Sequence, residues 1–184
     1  MTAGNYGLAL IALHRKNPAD AKAYLQLAKK SAGNAAAKSL ALNSLSIEIL
    51  LESGQAAEAA REARAAMNLF PSSRAIAHLY ASSLYASKRY DEAAKYLRKQ
   101  AQSYRDDPDL QRQLAKVYDA LGKKALMHMA LAESYGLVGA YQAALEQLKM
   151  ARQSPDVNFY DQSMIDARER EWKKIIRESL KEKS

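Results

Sequence analysis

Small apolar residues recur along this chain in stripes separated by short polar breaks. Ala59, Ala63 and Ala66 fall on one face of a helical period, and Ala93 and Leu97 repeat the spacing further on. The breaks carry helix-stop and helix-start chemistry. Pro71 (in Leu-Phe-Pro-Ser-Ser) and Pro108 (in Arg-Asp-Asp-Pro-Asp) cannot continue a preceding helix but suit the first turn of the next. Ser72, Ser73, Asp106 and Asp107 supply oxygens that can cap exposed amides. The pattern predicts ten helices, over 3–15, 18–32, 35–53, 55–69, 72–87, 89–104, 107–121, 124–137, 140–153 and 158–180. The last reads as a cap, with Phe159, Tyr160, Met164, Ile165, Trp172, Ile175 and Ile176 covering the final repeat and a charged side facing water. The closing Lys-Glu-Lys-Ser is expected to fray.

These segments repeat. Gly54-Gln-Ala-Ala-Glu-Ala-Ala aligns with Lys88-Arg-Tyr-Asp-Glu-Ala-Ala, so that Glu58 falls on Glu92 and Ala59 on Ala93, 34 residues apart. Lys16-Asn-Pro-Ala-Asp-Ala is in the same phase, with Asp20 and Ala21 in the Glu-Ala slots. The step of 38 residues from Ala21 to Ala59 predicts one loop four residues longer. Later the rhythm halves: Leu114-Ala-x-x-Tyr118-x-x-x-Gly122 recurs 17 residues on as Leu131-Ala-x-x-Tyr135-x-x-x-Gly139. Two consecutive helices thus carry the first-helix pattern, and the second of them should partner both its predecessor and its successor.

A helix–turn–helix period near 34 is the tetratricopeptide signature. The expected fold is all-α, a right-handed superhelical solenoid of about ten helices in five repeats with a C-terminal capping helix. It is read as a single domain over 1–184, with repeats at about 2–35, 40–73, 74–107, 108–124 and 125–156 and the cap at 158–180.

Composition adds exclusions. The apolar share is 48%, dominated by alanine and leucine, which favour helix. There is no cysteine, hence neither a disulfide nor a thiol nucleophile. No apolar run of about 18 residues is present to span a bilayer, and the N-terminus lacks signal-peptide character. The formal charge of +8 is spread with acids interleaved: residues 88–124 carry 10 basic and 6 acidic side chains, and 159–184 carry 7 and 6. Solvated helix faces account for that distribution better than a nucleic-acid site does. The three histidines, His14, His78 and His128, form no H-E-x-x-H, and no P-loop or G-x-S-x-G occurs. No catalytic or metal-ligating residue is assigned.

The reading is therefore recognition of a protein or peptide. Stacked hairpins present a concave side lined by first helices. The register places Tyr6 and His14 there in the first repeat, Glu48 in the second, His78 and Tyr85 in the third, Arg112 and Lys116 in the fourth, and Met129 and Glu133 in the fifth. Tyr90, Tyr118, Tyr135 and Tyr141 read as packing residues. The slots of a carboxylate clamp are filled by Tyr6, Leu10, Leu45, Ala75 and Leu79, none of them basic. End helices of repeat arrays can pair, so a homo-oligomer is a candidate.

The stretch from His128 to Glu171 is more distinctive. Met-Ala-Leu-Ala-Glu-Ser-Tyr-Gly-Leu-x-Gly-x-Tyr-x-x-Ala-Leu-Glu-Gln-Leu, followed by Asn-Phe-Tyr-Asp-Gln-Ser-Met-Ile-Asp-Ala-Arg-Glu-Arg, resembles the C-terminal tail of bacterial periplasmic zinc metallopeptidases of the β-barrel assembly-enhancing protease family. The opening Tyr6-Gly-Leu-Ala-Leu is similar to the start of that tail. The resemblance implies a periplasmic, non-catalytic repeat domain excised from a zinc-dependent endopeptidase, with Met1 an added initiator. It implies partners in the protease domain itself, in substrates and in the outer-membrane protein assembly machinery. Zinc is expected only in the upstream domain, and no cofactor in this chain. The alternative is a free-standing adaptor in pilus, secretion or lipoprotein assembly.

Overall fold

The computed structural model describes residues 1–181, so the last three residues of the tail expected to fray lie outside the described residues. Among those described there are ten α-helices and one 3₁₀ segment, with no strand. They form two compact units, one over Met1–Arg89 and one from Tyr90 onward.

The first unit holds α1 (Thr2–His14), α2 (Pro18–Ala32), α3 (Leu40–Glu52), α4 (Ala56–Leu69) and α5 (Arg74–Ala86). Its start and stop signals are the local ones that sequence can carry. Asn17 caps α2 by accepting from the Asp20 amide at 3.2 Å, with Pro18 in the first turn, and Ser73 caps α5 by accepting from the Ile76 amide at 3.3 Å. The core is close-packed alanine and leucine. Ala9, Ala21 and Ala28 are fully buried against Leu25, Leu42, Leu45 and Ile49. A bulkier side chain at any of those alanines would hold the helices apart.

One expected element differs. Helix 35–53 is in fact a 3₁₀ segment, Gly33–Lys38, followed by α3 from Leu40. Gly33 leaves α2 with φ of 56°, and Ser39, in extended backbone, restarts the chain by accepting from the Leu42 amide. Asn43 donates back to the Ser39 and Ala37 carbonyls at 2.8 and 3.2 Å. The four extra residues of the 38-residue step are absorbed here.

The hairpin turns show the repeat most directly. Lys16, Gly54, Lys88, Gly122 and Gly139 all have left-handed backbone, with φ between 58° and 75°. Two lysines thus occupy a slot that glycine fills elsewhere, at a cost of roughly 1–2 kcal/mol each.

The second unit holds α6 (Tyr90–Ser103), α7 (Pro108–Ala120), α8 (Lys124–Leu137), α9 (Tyr141–Gln153) and α10 (Phe159–Lys181). Asp107, itself buried, caps α7 by accepting from the Asp109 and Leu110 amides. As the halved rhythm predicts, α8 packs against both α7 and α9. Its first turn is capped from afar, the Ala125 amide donating to the Asp156 carboxylate at 3.0 Å.

The 23-residue α10 closes this unit over α9 and α8. Ile165 and Trp172 join Ala132, Ala144, Leu148 and Ala151 in a buried cluster. The indole packs against Gly136, where an added Cβ would lie 2.6 Å from the ring. Arg152 of α9 pairs with Asp166 and Glu169 of α10, each at 2.7 Å. The expected cap therefore exists, but in part through other residues. Phe159, Tyr160 and Met164 are exposed, at 85%, 70% and 43%. The first turn of α10 is fixed by Asn158 and the buried Asp161, whose side chains bond each other's backbone amides, and this turns the two aromatics outward.

Candidate interaction groove

In the second unit four helices, with Tyr141 of α9 beside the narrower part, line a continuous groove. Its wider part has a volume of about 620 Å³ and its narrower part about 460 Å³, and both are bordered by Ala101, Gln102, Gln111, Glu133 and Arg168. Each wall is one helical stripe. From α6 come Arg98, Ala101, Gln102 and Arg105, spaced i, i+3, i+4, i+7, while Ala93, Ala94 and Leu97 are buried. From α7 come Gln111, Leu114 and Tyr118, and from α8 Leu126, Met129, Ala130 and Glu133. The fourth wall is α10, with Tyr160, Met164 and Arg168 on the wide part and Glu171, Trp172 and Ile175 on the narrow part. The lining mixes apolar side chains, among them Leu114, Leu126, Met129 and Met164, with the polar Gln102, Gln111, Glu133 and Arg168.

Three of its charged groups are committed to one another. Arg168 donates to Glu133 at 2.6 Å and to Glu171 at 2.8 Å. Burial opposes the Arg168 charge, yet the two carboxylates outweigh it and hold that guanidinium above its ordinary pKa. Burial also raises the Tyr118 phenol, with the adjacent Arg98 pulling it down and Asp161 adding to the rise. On the rear of α10, the Lys173 ammonium outweighs partial burial and, with Arg152, keeps the Glu169 carboxyl below the usual range.

The residues expected on the concave side divide. Met129 and Glu133 line the groove. Arg112 and Lys116 do not: they border a shallower hollow of about 310 Å³ with Ala115, Asp119, Met127 and Leu131. There Arg112 pairs with Asp109 and reaches the Ser134 hydroxyl at 3.4 Å. In the first unit, Tyr6 borders an apolar hollow with Ala32, Ala35, Ala41 and Leu42. His14 and Glu48 come together between α1 and α3, where burial raises the Glu48 carboxyl and His14 partly offsets it. Beside them Lys16 pairs with Glu52 at 2.8 Å. His78 is half-buried and Tyr85 exposed, both on α5. Of the four tyrosines read as packing residues, Tyr118 is buried, Tyr90 and Tyr141 are half-buried, and Tyr135 is 40% exposed.

The α6 and α10 walls were outside the expected site. By repeat phase α6 is a second helix, and second helices are assigned to the convex side. The signal was nonetheless present as the 98/101/102/105 stripe, in which no acid occurs between Glu92 and Asp106.

No three His, Asp or Glu side chains gather as metal ligands among the described residues, and no helix among them is long and apolar enough to cross a membrane. Residues 50–117 match the family model for the tetratricopeptide repeat. No curated protein matches the chain. Among solved structures, MamA AMB-1 in its C2221 form is similar with a TM-score of 0.52 and 16% identity, over 83% of this chain and 97% of that one. Its P212121 form gives 0.51 and 17%, over 81% and 96%. At that identity the likeness is one of fold. Fold, repeat period and family match agree on an all-helical repeat architecture, with the tetratricopeptide repeat matched over residues 50–117.

Proposed function

We propose that this chain is a non-catalytic scaffold that holds a polypeptide in the groove between α6, α7, α8 and α10. The supporting observation is that regular stripes from four helices converge on one amphipathic channel, large enough for several side chains. A photo-crosslinking residue at position 129 or 164 should capture polypeptide, and one at the exposed Leu27 of α2 should not. Equal capture at position 27, or none at 129 and 164, would overturn the reading.

The finer assignment is the repeat tail of an exported zinc metallopeptidase, located in the periplasm. It would engage substrates or the outer-membrane protein assembly machinery, with zinc confined to the attached protease domain. What supports it is the likeness of residues 128–171 to that family's tail. The competing assignment is a free-standing adaptor in pilus, secretion or lipoprotein assembly. The genomic reading frame separates them: an in-frame H-E-x-x-H domain upstream favours the first, and a leader or lipobox directly before Tyr6 favours the second.

A further inference from the structure

We infer that the groove takes an extended peptide segment combining acidic and apolar side chains, with its carboxylates on Arg98 and Arg105. This rests on the groove being a polypeptide site. The charge argument comes first. From Lys95 to Arg105 the chain has four cations and no acid. Two of the groove's own carboxylates, Glu133 and Glu171, are paired with Arg168, and the third, Asp161, is held in the α10 cap by the Asn158 amide and lies near Tyr118. Arg98 lies against the Tyr118 hydroxyl. Neither Arg98 nor Arg105 has a carboxylate partner among the described residues. Two guanidinium groups beside a partly desolvated channel are thus left for an incoming anion.

The apolar argument fixes the other half of the ligand. Leu114, Leu126, Met129, Ala130 and Met164 face the same channel, and methionine surfaces adapt to varied apolar side chains. A simple anion would leave them wet.

Spacing and backbone chemistry favour an extended ligand. Arg98 and Arg105 are seven residues apart on one helix, roughly 10 Å along its axis. A polyproline-like segment rises about 3.1 Å per residue and returns to the same side every third residue, so acids three apart match the pair. Such a backbone has no internal hydrogen bonds. Gln102 and Gln111, between the two arginines on facing walls, offer amides to it. A helical ligand would satisfy its own backbone and leave them unused.

The test uses the full chain and a fluorescein-labelled peptide, Leu-Glu-Phe-Leu-Glu-Leu, followed by anisotropy. Arg98→Glu with Arg105→Glu should weaken binding at least tenfold. The matching peptide with lysine for glutamate should bind that double variant better than it binds the native chain. Both arginines are exposed, so the melting temperature should hold. If it falls, Arg98→Gln with Arg105→Gln should still weaken binding several-fold. The inference is overturned if the double variant binds the glutamate peptide within twofold of native, or if the native chain binds the lysine peptide equally well. It is also overturned if a single-stranded oligonucleotide displaces the peptide at equal concentration. Crosslinking at 129 and 164 that persists without this charge dependence removes the inference and leaves the scaffold reading intact.

Discussion

Both α1 and α10 end a series of hairpins, yet their outer surfaces have little in common. Helix α1 carries no acid, lysine or arginine, buries only Ala9 and Ala12, and leaves Leu8 and Ile11 at 44% and 50% exposure. Helix α10 buries a tryptophan and an isoleucine, anchors its sides with ion pairs, and presents charge to water. The difference is one of attachment. Alanine-on-helix packing at α1 gives close approach without a unique locking feature, whereas an indole seated on a glycine admits one register only. Because α10 is locked, it can also serve as a groove wall.

The contrast can be broken most severely at the indole. Trp172→Ala should cost about 3–5 kcal/mol in the second unit, since it empties a buried aromatic site. Leu8→Ala with Ile11→Ala should stay within about 1 kcal/mol, because both positions are half exposed. Urea melts of the two variants make the comparison, and similar losses would mean that α1 is as firmly capped as α10. A smaller effect is expected from Gly136→Ala. The added methyl collides with the ring, at a cost of roughly 1–3 kcal/mol for overpacking. Trp172 is the single tryptophan, so a red shift in its emission reports the displacement. An unshifted spectrum with native stability would show that the indole is free to move aside.

The smallest effect is acid sensitivity. The Glu169 carboxyl is held below its ordinary value by Lys173 and Arg152. Its contribution is therefore present above the unfolded carboxylate value, about 4.3, and is lost as pH falls through the lowered folded value. For partly exposed pairs that is roughly 0.2–1 kcal/mol. Arg152→Gln should flatten the corresponding part of the stability–pH curve, and an identical curve would count against the pairing.

The fold was legible in the sequence because its determinants are local and periodic. Alanine stripes, capping serines and aspartates, and turn slots at spacings of 34 and 17 each state a helix, an end or a repeat. The 3₁₀ segment was legible only as four surplus residues, since Gly33 and Ser39 act as terminator and cap only once helix phase is known. The groove was half legible. Met129 and Glu133 follow from first-helix register, but the α6 and α10 walls depend on where a long terminal helix comes to lie. That position is decided by the meeting of Gly136 and Trp172, 36 positions apart, a pairing no periodicity announces. Phe159 and Tyr160 were assigned to the cap by hydrophobicity, whereas the Asn158–Asp161 turn outside the apolar pattern sends them outward.

The carboxylate of Asp156 has a consequence for how this half of the molecule assembles. In a linear stack each layer communicates with the next, and folding can zip from one end. Here the opening turn of α8 waits for a loop that lies beyond the whole of α9. A growing chain can form that helix early but cannot finish its start until some thirty more residues have emerged. The start of α8 and the loop that follows α9 are thereby tied together, so that loop cannot loosen without freeing the opening turn of α8.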